Sequence, residues 1–154
     1  MATEILDIDF ETSIGPWLGR TVKMLDCHLQ EAFDAYGVDL TKEQMIVLKK
    51  LYEQDGINQN ELALLTYRDK SSLARLLSKM ETKNYIKRIQ STEDKRNNKV
   101  FITPHGTRTF AATRPIIQEI IDIMENGLDE ENKMLMISTL KKIQDNFKTS
   151  PETK

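Results

Sequence analysis

A chain of 154 residues is the right length for one domain, or for a compact core with extended helical arms. With 39% apolar and 30% charged residues it is not a disordered polymer, and no apolar run approaches the roughly 18 residues needed to span a bilayer. A single cysteine, Cys27, excludes an internal disulfide framework, and the start MATEILDIDFE has neither the basic nor the apolar segment of a signal peptide, so a cytoplasmic protein is expected.

The formal charge of −2 hides an asymmetry. Between Arg68 and Arg108 there are 11 Lys and Arg against 4 Asp and Glu, which leaves 11 basic and 20 acidic residues for the rest of the chain. A basic middle between acidic ends is the footprint of a nucleic-acid-binding segment, although a solvated basic face without a partner would give the same count.

Residues 1–12 read as a flexible acidic arm. Ile14, Leu18, Val22, Leu25, Leu29, Ala32, Phe33 and Tyr36 share one face of a first long helix that Gly37 stops. Thr41 and Gln44 form a capping box that opens a helix to about Glu53, and Asp55-Gly56 ends it. Asn58 and Glu61 offer a second capping box before a short helix, Leu62 to about Tyr67. Asp69 then caps a helix predicted over Lys70–Lys83, and two short helices across a turn, the second basic, make a helix-turn-helix. After Asn84, a residue that tolerates the left-handed stop, Tyr85–Gln90 and Lys99–Thr103 read as two strands of a hairpin. Pro104 opens an Ile-rich helix that Pro115 should kink, and Gly127-Leu128-Asp129 ends it and caps a last helix to about Phe147. Residues 149–154 read as a disordered tail. The fold class expected is mainly α with a small β-hairpin wing.

On the Lys70–Lys83 helix, Ser71, Ser72, Arg75, Ser78, Lys79, Thr82 and Lys83 share an arc opposite Leu73, Leu76, Leu77 and Met80. Hydroxyls interleaved with cations suit a helix laid in the major groove of double-stranded DNA, where they reach phosphates and base edges. The hairpin tip, STEDKRNNKV, carries Asp94, Lys95, Arg96, Asn97, Asn98 and Lys99. Placed directly after such a helix it would be a wing reaching the minor groove, with Arg96 as its probe and Asp94 orienting Arg96 by a charge-assisted hydrogen bond. A charged, solvent-exposed hairpin is the plainer reading.

Together these residues resemble the MarR family of bacterial transcription regulators. Asp94-x-Arg96, five further residues and Ile102-Thr103-x-x-Gly106 are similar to the family's Asp-x-Arg, equal gap and Leu-Thr-x-x-Gly. LTKEQMIVLKKL, QNELALLTYRDKSSLARLLSKMETKNYIKR and GLDEENKMLM resemble the family in order and spacing, over roughly residues 14 to 148. Asn84 stands where Gly is usual, Ile102 where Leu is usual, and Lys95 replaces a frequent Arg. The resemblance implies a winged helix-turn-helix homodimer that binds a pseudo-palindromic operator, usually as a repressor released by a small ligand or by oxidation. It carries DNA contact to Lys70, Ser71, Ser72, Arg75, Asp94 and Arg96. The expected organisation is a DNA-binding domain over 38–103 and a helical dimerisation region from 13–37 and 104–148. The surplus of Ile, Leu and Met at both chain ends agrees with a dimer.

A small apolar or aromatic effector fits the resemblance, with Trp17, Met24 and His28 on one edge of the first helix's buried face, where the dimer arm and the DNA-binding core should meet, and Met45 and Tyr67 lining the same junction; an ordinary core uses the same residues. Cys27 as a redox sensor is weighed against an inert thiol, since Lys23 would lower its pKa, Glu31 would oppose that, and no second cysteine exists to resolve a sulfenic acid. His28 and His105 are the only histidines and stand far apart, so no metal site is expected. No phosphate loop, nucleophile elbow or metal motif points to an enzyme, and no cofactor is expected. The competing reading is a winged-helix module that binds a protein or RNA instead of duplex DNA.

Overall fold

The computed structural model describes residues 8–94 and 96–149. Lys95, most of the acidic arm and residues 150–154 of the tail lie outside the described residues. In chain order the elements are α1 (Ile14–Ala35), α2 (Lys42–Glu53), β1 (Ile57–Asn58), α3 (Gln59–Leu65), α4 (Lys70–Thr82), β2 (Ile86–Gln90), β3 (Asn98–Ile102), α5 (Pro104–Ala112), α6 (Arg114–Met124) and α7 (Glu130–Thr149). They fall into two compact units, one up to Ile120 and one from Ile121.

Helix boundaries follow the capping chemistry. Thr41 accepts from the Gln44 backbone N–H at 3.2 Å while the Gln44 side chain accepts from the Thr41 N–H, so the first capping box is real. Asp69 accepts from the Ser72 N–H at 2.8 Å and opens α4. Three helices stop in the same way. At the ends of α1, α3 and α4 a residue with positive φ, Gly37 (68°), Tyr67 (54°) and Asn84 (60°), donates to the carbonyl three residues back. The next residue donates five back: Val38 to Phe33, Arg68 to Ala63 and Tyr85 to Met80. This paired pattern closes orphaned carbonyls and requires the left-handed conformation at the stop.

The second expected capping box does not form. Asn58 stands at the N-cap of α3 and pairs with Lys99 in the sheet, but its side chain makes no cap bond, and α3 begins earlier than predicted. The α3 donor at Asn60 is instead met by Asn97 Oδ1, 3.4 Å away. β1, too short to show a period, adds a third strand, giving the antiparallel order β1-β3-β2 with Ile57 opposite Val100 and Arg88 opposite Val100 on the other side. The predicted kink becomes a break at Thr113, which separates α5 from α6 two residues before Pro115.

The core of the first unit collects one face of each helix. Leu29 and Phe33 of α1, Val47, Leu48 and Leu51 of α2, and Leu62 of α3 are buried with Leu73, Leu77 and Met80 of α4, Val100 of β3 and Ile116 of α6. Each such side chain contributes about 1.5–3 kcal/mol by leaving water. Only the C-terminal half of the α1 stripe is used this way: Ile14, Leu18 and Val22 are exposed. In the second unit Asp129 accepts from the Asn132 N–H at 2.8 Å and caps α7, and Lys133 pairs with Glu125 at 2.7 Å and Glu130 at 3.1 Å. Hydrogen bonds from the Lys133 ammonium to those two carboxylates raise its pKa. Met134, Leu135, Met136 and Ile137 of α7 are exposed.

Candidate nucleic-acid interface

The α3–turn–α4 unit and the β2–β3 hairpin place the basic residues. Leu73, Leu77 and Met80 are fully buried and fix α4 by one face, which leaves Lys70, Ser71, Arg75 and Lys79 on the exposed side. Lys70, Arg75 and Lys79 have no carboxylate partner among the described residues. Three cations without internal counter-ions on one helix face attract a polyanion.

Not every residue of the expected arc stays free. The Ser72 hydroxyl is half-buried and accepts from Arg68 at 2.7 Å. Lys83 turns away to Asp39, at 2.9 Å, and to the Gln44 side chain at 3.3 Å. Ser78 and Thr82 donate to carbonyls of their own helix, both at 3.0 Å. Helical periodicity fixes the direction of a side chain from the axis but not its partner, so these losses were not visible in the spacing.

The hairpin is braced from both sides. Arg88 of β2 donates to Glu81 of α4, Nε to Oε1 at 2.8 Å, and also to the Ser78 hydroxyl at 3.1 Å. On the other side Asp55 accepts from the Ile102 N–H at 2.9 Å. At the tip Arg96 is exposed and has no carboxylate partner among the described residues. Asp94 acts on Arg96 differently from the sequence expectation. Its carboxylate accepts from the Arg96 backbone N–H at 3.0 Å, and its carbonyl from the Asn97 N–H at 3.0 Å. Asp94 therefore shapes the turn and leaves the guanidinium free; a side chain that short reaches a backbone two residues on more readily than a flexible Arg head. Asn97 is half-buried with its carbonyl oxygen toward Asn60, Asn98 begins β3, and Lys99 is exposed.

The expected effector residues are placed less tightly together. Trp17, Met24 and His28 are exposed, not on a buried edge of α1, while Met45 packs partly against the core. The Trp17 indole donates to the Glu11 carbonyl at 2.8 Å and Arg20 lies over its ring, 4.3 Å from the centroid. Tyr67 lines a separate groove of about 400 Å³ with Lys42, Glu43, Ile46, Thr66, Arg68, Asp69 and Ser72, and none of the other four joins it there. Cys27 is exposed and its thiol lies 3.6 Å from Glu31. The Glu31 charge, then its hydrogen bond, raise the thiol pKa and keep it protonated, the state of low reactivity. Among the described residues no three His, Cys, Asp or Glu side chains come together to hold a metal, and no helix is long and apolar enough to cross a membrane.

Comparison with known proteins agrees with this geometry. The model of the MarR family matches residues 40–97. The chain is 30% identical over 105 residues to the transcriptional regulator HosA of Escherichia coli O157:H7, covering 68% of this chain and 78% of the relative. Among solved structures it is similar to BpsR of Bordetella bronchiseptica, described for regulation of its DNA binding by 6-hydroxynicotinic acid, with a TM-score of 0.81 at 20% identity, over 90% of this chain and 97% of that one. It is also similar to the PcaV regulator of Streptomyces coelicolor in complex with its natural ligand, with a TM-score of 0.78 at 18% identity, over 94% and 98% of the two chains. A buried helix-turn-helix core, an exposed row of unpaired cations and a braced wing thus coincide with a family of regulators and not of enzymes: the chain belongs to the MarR family of DNA-binding, winged-helix transcription regulators.

Proposed function

We propose that this protein is a cytoplasmic, homodimeric repressor that binds a pseudo-palindromic operator and is relieved by a small apolar or aromatic molecule. The observation that carries the DNA-reading part is the pair of exposed arginines without a carboxylate partner among the described residues, Arg75 on α4 and Arg96 at the wing tip. α4 lies in the major groove, where Lys70, Ser71, Arg75 and Lys79, with Ser72 at the margin, meet phosphates and base edges. The tip from Asp94 to Lys99, Lys95, Asn97 and Asn98 included, lies over the minor groove, and Arg96 enters its negative potential.

Dimerisation through 13–37 and 104–148 is supported by the exposed Ile14, Leu18 and Val22 of α1 and the exposed Met134, Leu135, Met136 and Ile137 of α7. Two copies would set the recognition helices about 34–36 Å apart, one turn of DNA. Relief by an effector is supported by the 6-hydroxynicotinic acid named for BpsR, by the natural ligand bound to PcaV and by the adaptable surface of Trp17, Met24, His28 and Met45.

The test is selection of bound fragments from random-sequence and genomic DNA by the purified protein at near-physiological salt, with Arg96→Ala in parallel. One palindromic motif, weakened by Arg96→Ala, is the expected result. Weak binding without sequence preference would overturn it and favour a protein or RNA partner.

A further inference from the structure

Three helices of this chain end in the same hydrogen-bond pattern, and each needs a left-handed residue at the stop. Two of the stops use residues suited to it, Gly37 and Asn84. The third, in the turn of the helix-turn-helix, uses Tyr67 at φ 54°. A bulky side chain is disfavoured there, because its Cβ crowds the following carbonyl. Internal packing does not offset the strain: Tyr67 is 91% exposed, and its hydroxyl has no partner among the described residues. A strained, unpacked aromatic side chain at a working surface directs attention to a partner outside the chain.

The chemistry around it says which partner. Tyr67 stands two residues before the N-cap Asp69 and three before Lys70, an exposed cation without a counter-ion among the described residues. Arg68, the next residue, donates to Ser72 on the first turn of α4. The ring therefore sits where the chain begins the helix that carries the free cations, in a groove where Lys42 and Arg68 stand with Glu43 and Asp69, and its hydroxyl is a hydrogen-bond donor. A polyanion whose backbone presents sugar carbons next to phosphate oxygens matches both parts of a phenol.

We propose that Tyr67 is a positioning residue for duplex DNA: its ring packs on a sugar and its hydroxyl donates to a phosphate oxygen where α4 enters the major groove. The inference rests on the DNA reading above. It withdraws Tyr67 from the expected effector site and gives the turn residue a role in setting how far the recognition helix is inserted.

The experiment uses the full chain and an operator duplex recovered in the selection. Tyr67→Gly and Tyr67→Phe are compared with the native protein by DNA titration at several salt concentrations and by thermal melting. Glycine removes the ring and the strain, so affinity is expected to fall about tenfold while the melting temperature holds or rises. Phenylalanine keeps the ring and the fold and loses only the donor, at a cost of about threefold. Neither variant removes a cation, so neither changes the slope of affinity against salt, whereas Arg75→Ala flattens it by about one unit for each half-site. Affinity within twofold of native in either variant overturns the proposal and leaves the DNA reading intact. If the native chain binds no duplex at all, both fall together.

Discussion

Arg88 and Glu81 join the wing to the recognition helix: the guanidinium of β2 meets the carboxylate of α4 through Nε at 2.8 Å and a second nitrogen at 2.5 Å, and the Arg88 N–H reaches the other oxygen at 3.3 Å. Two guanidinium nitrogens converge on one carboxylate oxygen, Oε1, and the Arg88 backbone N–H meets the other, so the pair is held in direction as well as distance. Glu81→Gln is expected to lower stability by roughly 1 kcal/mol, discounted because Glu81 is partly exposed, and to weaken operator binding although Glu81 lies outside the proposed DNA-facing arc. Urea denaturation and DNA titration on the same preparation would check it; unchanged binding would mean that the wing keeps its place without this pair.

Gly106 is required for a different reason. A Cβ at this position would lie 2.1 Å from the Tyr85 carbonyl oxygen, a backbone atom that accepts from the Thr103 N–H at 3.0 Å and has no freedom to retreat. Gly106→Ala should therefore cost more than about 3 kcal/mol, beyond the ordinary range of single substitutions. The check is the urea midpoint, and a loss under 1 kcal/mol would contradict it.

The unpaired cations should be separable by salt. Arg75→Ala and Arg96→Ala are each expected to weaken operator binding and to reduce the slope of log affinity against log salt by about one per lost phosphate contact in each half-site. An unchanged slope in both would place these residues away from the DNA.

For Cys27 the sign is set by Glu31. Its negative charge raises the thiol pKa, so less thiolate is present at any pH below that value. Glu31→Gln should lower the pKa and speed alkylation by iodoacetamide at pH 8 by about two- to fivefold. Equal rates would show that Glu31 does not govern the thiol.

A charge placed on the exposed α1 stripe is expected to act on assembly. Val22→Asp, at a residue 47% exposed in the single chain, should leave the fold in place and shift sedimentation toward monomer. A species of native size would remove α1 from the interface.

Wherever one residue type and its near neighbours decide the outcome, the sequence was enough. Thr41 with Gln44, Asp69, Gly37 and Asn84 set helix limits that stand within a residue or two of the structure. Prediction failed where a partner far along the chain decides. Asn58 has the right chemistry for a cap, yet the Asn60 N–H is met by Asn97, 37 residues away. Lys83 lies on the arc of α4, yet Asp39, 44 residues away, holds it. Asp94 and Arg96 were correctly joined, but the bond runs to backbone because the turn satisfies a main-chain donor before a mobile head. The left-handed backbone of Tyr67 was not visible either, because aromatic character alone does not reveal it.

The contact from Asn97 to the first turn of α3 has a consequence for how this protein can be re-engineered. The hairpin supplies the acceptor that α3 lacks from its own N-cap, while Arg88 secures the other side of the hairpin to α4. Loop grafting between relatives treats such hairpins as interchangeable parts, but here a foreign hairpin would have to arrive with both anchoring side chains or leave the first helix of the reading head frayed. Altered operator preference is thus better sought by changing Arg96 in place than by transplanting the loop that carries it.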